Sequence, residues 1–200
     1  HPDFKSNQLV YLTYSKPKGE KESTTTLLKA KLLNDELSEQ EIILEALPYR
    51  SAGLHFGSRL EFDDKGYLFL TIGDRFNRDV TPQTLDNHCG KIHRINDDGS
   101  IPEDNPFVNT PGALPSIWSY GHRNPQGLFF DKSTGTMWET EHAPRGGDEV
   151  NIIKKGLNYG WPIVSYGINY SGTVFTELTS REDLESPVHY YLPSTGTCGL

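Results

Sequence analysis

Apolar residues in this chain recur at a spacing of two or gather in runs of four to six, and both patterns predict strands. Leu9-Val10-Tyr11-Leu12-Thr13-Tyr14 is the first such run. Thr24 to Leu33 is the second, with Leu27, Ala30 and Leu32 interleaved among polar positions, and the polar patch Gly19-Glu20-Lys21-Glu22-Ser23 between the two reads as a hairpin loop. Gln40 to Leu47 is a third strand; its Glu and Leu content also suits a short helix, but its length and its neighbours favour a strand. Arg59-Leu60-Glu61-Phe62 alternates, turns at Asp63-Asp64-Lys65-Gly66 and returns as Tyr67-Leu68-Phe69-Leu70-Thr71-Ile72, a strong hairpin signal. A second hairpin of the same design runs from Gly127-Leu128-Phe129-Phe130-Asp131 through Lys132-Ser133-Thr134-Gly135 into Thr136-Met137-Trp138-Glu139-Thr140. Each hairpin is followed by a polar segment and another strand, Lys91 to Ile95 in the first case and Glu149 to Ile153 in the second. The pattern is thus an internal repeat, stretched by an insertion between Phe76 and Cys89 and by a Pro-rich loop from Pro102 to Pro115. Repeats of several short strands predict a β-propeller with long loops rather than a sandwich, and at roughly 50 residues per blade the chain should supply about four blades.

Composition narrows the function. Lys plus Arg number 19 against 27 Asp plus Glu, a net charge of −8. That balance argues against nucleic acid or an anionic membrane surface as partner. No apolar run approaches the ~20 residues that span a bilayer. The two cysteines, Cys89 and Cys198, lie far apart and form no CxxC motif; they read as two isolated thiols, with a pairing between them left open by the sequence. There is no GxGxxG after a strand and no alternation of strands and helices, which argues against a nicotinamide enzyme.

Chemistry concentrates in Ser119 to Leu128 and Glu139 to Pro162. Arg123, Asn124 and Gln126 present planar hydrogen-bonding heads, and Arg can grip a carboxylate with two parallel bonds. Ala143-Pro144 and Gly146-Gly147 form a loop whose carbonyls need not join a ladder, beside Asp148 and Glu149; that combination suits a hard cation such as calcium. His55, just before a strand, has the ionisation range of a general base near neutral pH. Asp74-Arg75 follows a strand end and faces the same mouth, either as an exposed turn ion pair or as a ligand. Asp104-Asn105-Pro106 lacks the spacing of an EF-hand and reads as a turn. His88, Cys89 and His93 are incomplete as a zinc set. Taken singly, each of these residues serves equally well in a turn or at a sheet edge.

Taken together they resemble a known family. Gly121-His122-Arg123-Asn124-Pro125-Gln126-Gly127-Leu128, then Glu141-His142-Ala143-Pro144-Arg145-Gly146-Gly147-Asp148-Glu149-Val150-Asn151, then Gly156-Leu157-Asn158-Tyr159-Gly160-Trp161-Pro162 resemble the soluble quinoprotein glucose/sorbosone dehydrogenases, also called aldose sugar dehydrogenases. The likeness continues upstream through His55-Phe56-Gly57-Ser58-Arg59-Leu60 and Thr71-Ile72-Gly73-Asp74-Arg75. It implies an all-β, six-bladed β-propeller of which residues 1–200 form one partial domain, the central blades of a longer chain truncated at both ends. It implies oxidation of an aldose at the anomeric hydroxyl to the lactone, with hydride passing to pyrroloquinoline quinone (PQQ) and electrons to an external acceptor. By the same resemblance His55 is the catalytic base, Arg123 and Asn124 bind the quinone, and Arg123 also stabilises developing charge. Gln126 and Asp74 stand beside the cofactor, the carbonyls of Ala143 and Pro144 hold Ca²⁺, and Asp148 reaches the metal through water. Further basic contacts to PQQ would come from later blades, and the family's export implies a periplasmic or secreted protein. A calcium-dependent propeller lactonase and a non-catalytic binding propeller are the alternative readings.

Overall fold

The computed structural model describes residues 1–200 as eleven strands, a four-residue helix at Phe4–Asn7 and a 3₁₀ turn at Thr81–Gln83. The strands form three antiparallel sheets, each laid down in chain order. The first contains β1 (Leu9–Lys18), β2 (Glu22–Leu33) and β3 (Glu36–Glu45). The second contains β4 (Leu60–Phe62), β5 (Leu68–Ile72), β6 (Lys91–Ile95) and β7 (Ile117–Tyr120). The third contains β8 (Pro125–Asp131), β9 (Thr136–Glu141), β10 (Asp148–Ile152) and β11 (His189–Tyr191). Three sheets, not the expected four, account for the chain, because long loops before β6, β7 and β11 take up the residues of a further blade.

The internal repeat is visible in the turns. Asp63 Oδ1 accepts the N–H groups of Lys65 and Tyr67, both at 2.9 Å, before Gly66 at φ +83°. Asp131 Oδ1 accepts the N–H of Ser133 at 2.9 Å before Gly135 at φ +69°. In both cases an Asp side chain caps its own turn and Gly takes the left-handed position.

Packing follows from strand alternation. Leu68, Leu70 and Ile72 of β5 point to one face, where they meet Leu27, Leu44 and Ala46 of the first sheet. Phe69 points to the other and meets Leu128, Phe130 and Met137 of the third. A sheet covered on both faces by its neighbours explains why β5 and β6 are buried at every position. Antiparallel pairing puts the starts of β4 and β8 and the ends of β5 and β9 at one end of the sheets, opposite the two Asp-capped turns. The loops at that end carry the chemistry.

Candidate active site

Two facing segments, residues 55–58 and 71–76, build the centre. Ser58 N–H donates to Thr71 O at 2.7 Å. The approach is so close that a Cβ on Gly73 would lie 2.4 Å from His55 O and 2.9 Å from Asn124 Oδ1. His55 takes a left-handed conformation, φ +56°. Its Nδ1 donates to Asp74 Oδ1 at 2.6 Å. The same oxygen accepts Phe76 N–H at 2.8 Å, while Oδ2 accepts the indole Nε1–H of Trp161 at 2.8 Å. Asp74 is therefore a buried hub, 1% exposed, and not an exposed turn ion pair. With Nδ1 committed, Nε2 of His55 has no partner in the chain, and His55 lines a cleft of about 310 Å³ together with Asp74, Phe76, Arg123, Pro144 and Trp161, among others.

The Arg123 segment is tied to this centre through its backbone, since Asp74 N–H donates to Arg123 O at 2.7 Å. Arg123 Nη1 donates to the carbonyls of His142 at 2.7 Å and Ala143 at 2.8 Å. Its guanidinium lies 5.4 Å from the Trp161 ring. The remaining edge, Nε and Nη2, takes no acceptor in the chain. Asn124 Oδ1 accepts Gly57 N–H at 3.3 Å and Gln126 Nε2 at 3.0 Å, leaving Asn124 Nδ2 unpaired; Gln126 also reaches Gly57 O at 3.3 Å. Asn124 and Gln126 thus sit beside the His55 segment, next to the cleft rather than lining it.

Pro144 lines the cleft, and Ala143 presents its carbonyl to Arg123. Asp148 faces elsewhere. Its two oxygens accept Ala143 N–H at 3.0 Å, Ser194 Oγ at 2.8 Å, Thr195 N–H at 3.0 Å and Gly196 N–H at 2.7 Å. Four donors occupy the carboxylate, which buckles the Ala143 loop to the 194–196 segment.

Several residues that shape the site lie in the chemistry-rich stretches, but the sequence assigns them no part in the chemistry. Glu141 Oε2 accepts the N–H groups of Arg123 at 2.5 Å and Asn124 at 3.3 Å, so one carboxylate orients both residues. Its Oε1 meets His122 Nδ1 at 3.2 Å, and His122 is fully buried, bonded to Ser119 Oγ at 2.9 Å and stacked on Tyr159 at 4.6 Å. His122, Glu139 and Glu141 place one potential ligand atom each within 4.8 Å of one another. Across the ladder Glu141 pairs with Glu149 and Glu139 with Asn151. Glu139 Oε1 and Asn151 Oδ1 are buried without a partner. Burial, reinforced by Glu141, pushes the Glu139 carboxyl well above the usual carboxylate range and Glu149 up to about 8. The one available clue was Glu139 and Glu141 at a spacing of two behind Met137, charges on an inward strand face.

Other candidates resolve as structure. His93 is buried between Ser116 Oγ at 3.0 Å and His88 O at 3.1 Å. Cys89 and Cys198 are both free thiols. Asp104 closes a turn by pairing with Arg94 at 2.5 Å.

The profile of the Glucose / Sorbosone dehydrogenase family matches residues 1–200. The chain is 41% identical over 203 residues to aldose sugar dehydrogenase YliI of Escherichia coli (strain K12), taking in 100% of this chain and 54% of that protein. The apo-form crystal structure of the soluble aldose sugar dehydrogenase from Escherichia coli superposes with a TM-score of 0.95 at 40% identity, covering 99% of this chain and 58% of the other. The PQQ-bound aldose sugar dehydrogenase from Streptomyces coelicolor superposes at 0.75 with 26% identity, covering 95% and 51%. The chain thus spans about half the length of the relatives it matches. Its three sheets are blades of the six-bladed β-propeller of these dehydrogenases, and no helix is long and apolar enough to cross a membrane. With the fold and the profile match over residues 1–200 in agreement, the chain belongs to the glucose/sorbosone dehydrogenase family.

Proposed function

We propose that the protein carrying this chain oxidises an aldose sugar at the anomeric hydroxyl to the lactone, using PQQ and Ca²⁺ and passing electrons to an external acceptor. One observation carries the reading: His55, held at Nδ1 and bare at Nε2, shares a cleft with the unpaired edge of Arg123. PQQ is a planar tricarboxylate, and a guanidinium edge without an acceptor matches it in charge and shape. Arg123 and the unpaired Nδ2 of Asn124 would hold the quinone oxygens, with Gln126 keeping the Asn124 amide in its orientation. The carbonyls of Pro144 and Ala143 would hold Ca²⁺, while Asp148 fixes the Ala143 loop through its N–H. When bound, PQQ with its Ca²⁺ supplies an electrophilic carbonyl that takes up two electrons.

The chain's own residues do the rest. His55 Nε2 takes the hydroxyl proton as the C–H hydride departs, a general-base contribution worth about 10²–10⁴-fold. Asp74 keeps the imidazole in the required tautomer and stabilises the imidazolium that forms, and Trp161 and Phe76 keep Asp74 aimed. Arg123 stabilises negative charge growing on the acceptor oxygen. The partners are a small sugar and an electron acceptor, and a periplasmic or secreted location accords with the family.

Absorbance titration of PQQ into the complete protein with Ca²⁺ tests the cofactor site. Stoichiometric binding is expected, weakened about 10–100-fold in Arg123→Gln, equivalent to about 1.4–2.8 kcal/mol. No binding to the wild-type protein, or equal binding to the variant, would overturn the assignment.

A further inference from the structure

His55 is not alone in its backbone strain. Arg75 and Phe76, directly across from it, also take left-handed conformations, at φ +52° and +59°. Non-glycine residues persist there only where their surroundings over-determine them. The Arg75 side chain supplies that determination. It is 1% exposed, yet no carboxylate meets it. Instead Nε donates to Leu54 O at 3.1 Å, Nη2 to Ala52 O and Nη1 to Ser23 O at 3.4 Å. The guanidinium plane lies 3.6 Å over the Phe56 ring. One side chain therefore grips the chain at residues 52, 54 and 56, on both sides of His55. Its neighbour Asp74 grips the His55 ring. A buried guanidinium without a counter-ion is unfavourable for stability alone, since a charge in low dielectric needs full hydrogen bonding to be tolerated. Its retention at this position has a direct use: the planar fork meets three carbonyls and a ring face at once, which an ammonium cannot do.

We propose that Arg75 is a positioning residue for the base, fixing residues 52–56 so that His55 Nε2 stays directed into the cleft in register with Asp74. The inference rests on His55 being the base of the proposed reaction. Two readouts on the complete protein separate the claims. In the apoprotein, labelled imidazole nitrogens report the His55 Nδ1–H bond to Asp74 by NMR with no need of cofactor. In the PQQ-loaded protein, kcat and KM are measured per bound PQQ. Arg75→Gln should broaden or abolish the His55 Nδ1–H resonance and lower kcat about 10–100-fold, with KM within about twofold and PQQ stoichiometry intact, because a small misplacement of a reacting group costs rate rather than binding. Arg75→Lys should fall between, and Phe56→Leu, which removes only the stacking face, should give a smaller change in the same direction. An unmoved His55 resonance with normal kcat would overturn the proposal, as would a loss confined to the fraction of protein that folds or binds PQQ. Wild-type protein inactive on every sugar, but with a His55 resonance that still responds to Arg75→Gln, would leave the grip standing and overturn the base.

Discussion

Lys91 shows how buried charge is managed beside the site. It is fully buried and donates to the carbonyls of Thr81 at 2.6 Å, Pro82 at 3.2 Å and Cys89 at 2.6 Å. The Lys91 head group therefore closes the loop whose Pro82 O accepts Gly121 N–H at 3.0 Å, at the start of the Arg123 segment. Burial pushes its pKa down to about 7 from the usual lysine value of 10.5. Between those two values the unfolded chain binds the proton and the folded chain does not, so the Lys91 contribution to stability rises with pH across that window. Melting temperatures from pH 7 to pH 10 should rise more steeply in the wild type than in Lys91→Met. The variant should lose about 1–3 kcal/mol at pH 7 from its stranded carbonyls. Parallel slopes for the two proteins would contradict the assignment. At this scale the sequence offers heads with chemical use, and the structure brings His55 and Arg123 to one cleft with Asn124 beside it. The sequence does not reveal partners. Trp161 reaches Asp74 across 87 residues of chain, and Glu141 reaches the Arg123 backbone across 18. No local pattern encodes such pairings.

Strands were legible where alternation or an Asp-capped turn marked them. The hairpins at Asp63–Gly66 and Asp131–Gly135 stand where the pattern places them, and β2 and β6 lie within a residue or two of expectation. β7 and β11 were not foreseen: they span four and three residues and join their sheets after long loops, so neither has enough length to show a period. The same loops explain the count of three blades instead of four. The fully buried run in β5 was read as one arm of a hairpin, and its double-sided packing emerges only from the neighbouring sheets. Leu70, fully buried in that strand, should cost about 2–5 kcal/mol when truncated in Leu70→Ala, read from the denaturant midpoint. A loss under about 1 kcal/mol would mean that the two sheets repack freely and that the blade interface does not fix the loops above it.

For the whole molecule, the arrangement assigns each part of the site to a different junction. His55 comes from the segment leading into the second sheet and Asp74 from a strand end of that sheet. Arg123 and Asn124 come from the passage between the second and third sheets, and Ala143 and Pro144 from the loop between β9 and β10. Rigid packing of the blades sets the distances between them, and the loops contribute the chemical groups. The central claim is that His55 acts as base in a PQQ-dependent sugar oxidation. The most direct test is dye-linked oxidation of a panel of aldoses by the complete protein, with PQQ and Ca²⁺ added together or singly and His55→Ala run alongside. Dye reduction that requires both additions, yields the lactone and falls at least about 10²-fold in the variant is the predicted result. Reduction that survives in His55→Ala would contradict the base assignment, and hydrolysis of a sugar lactone with no dye reduction on any aldose would contradict the oxidation itself.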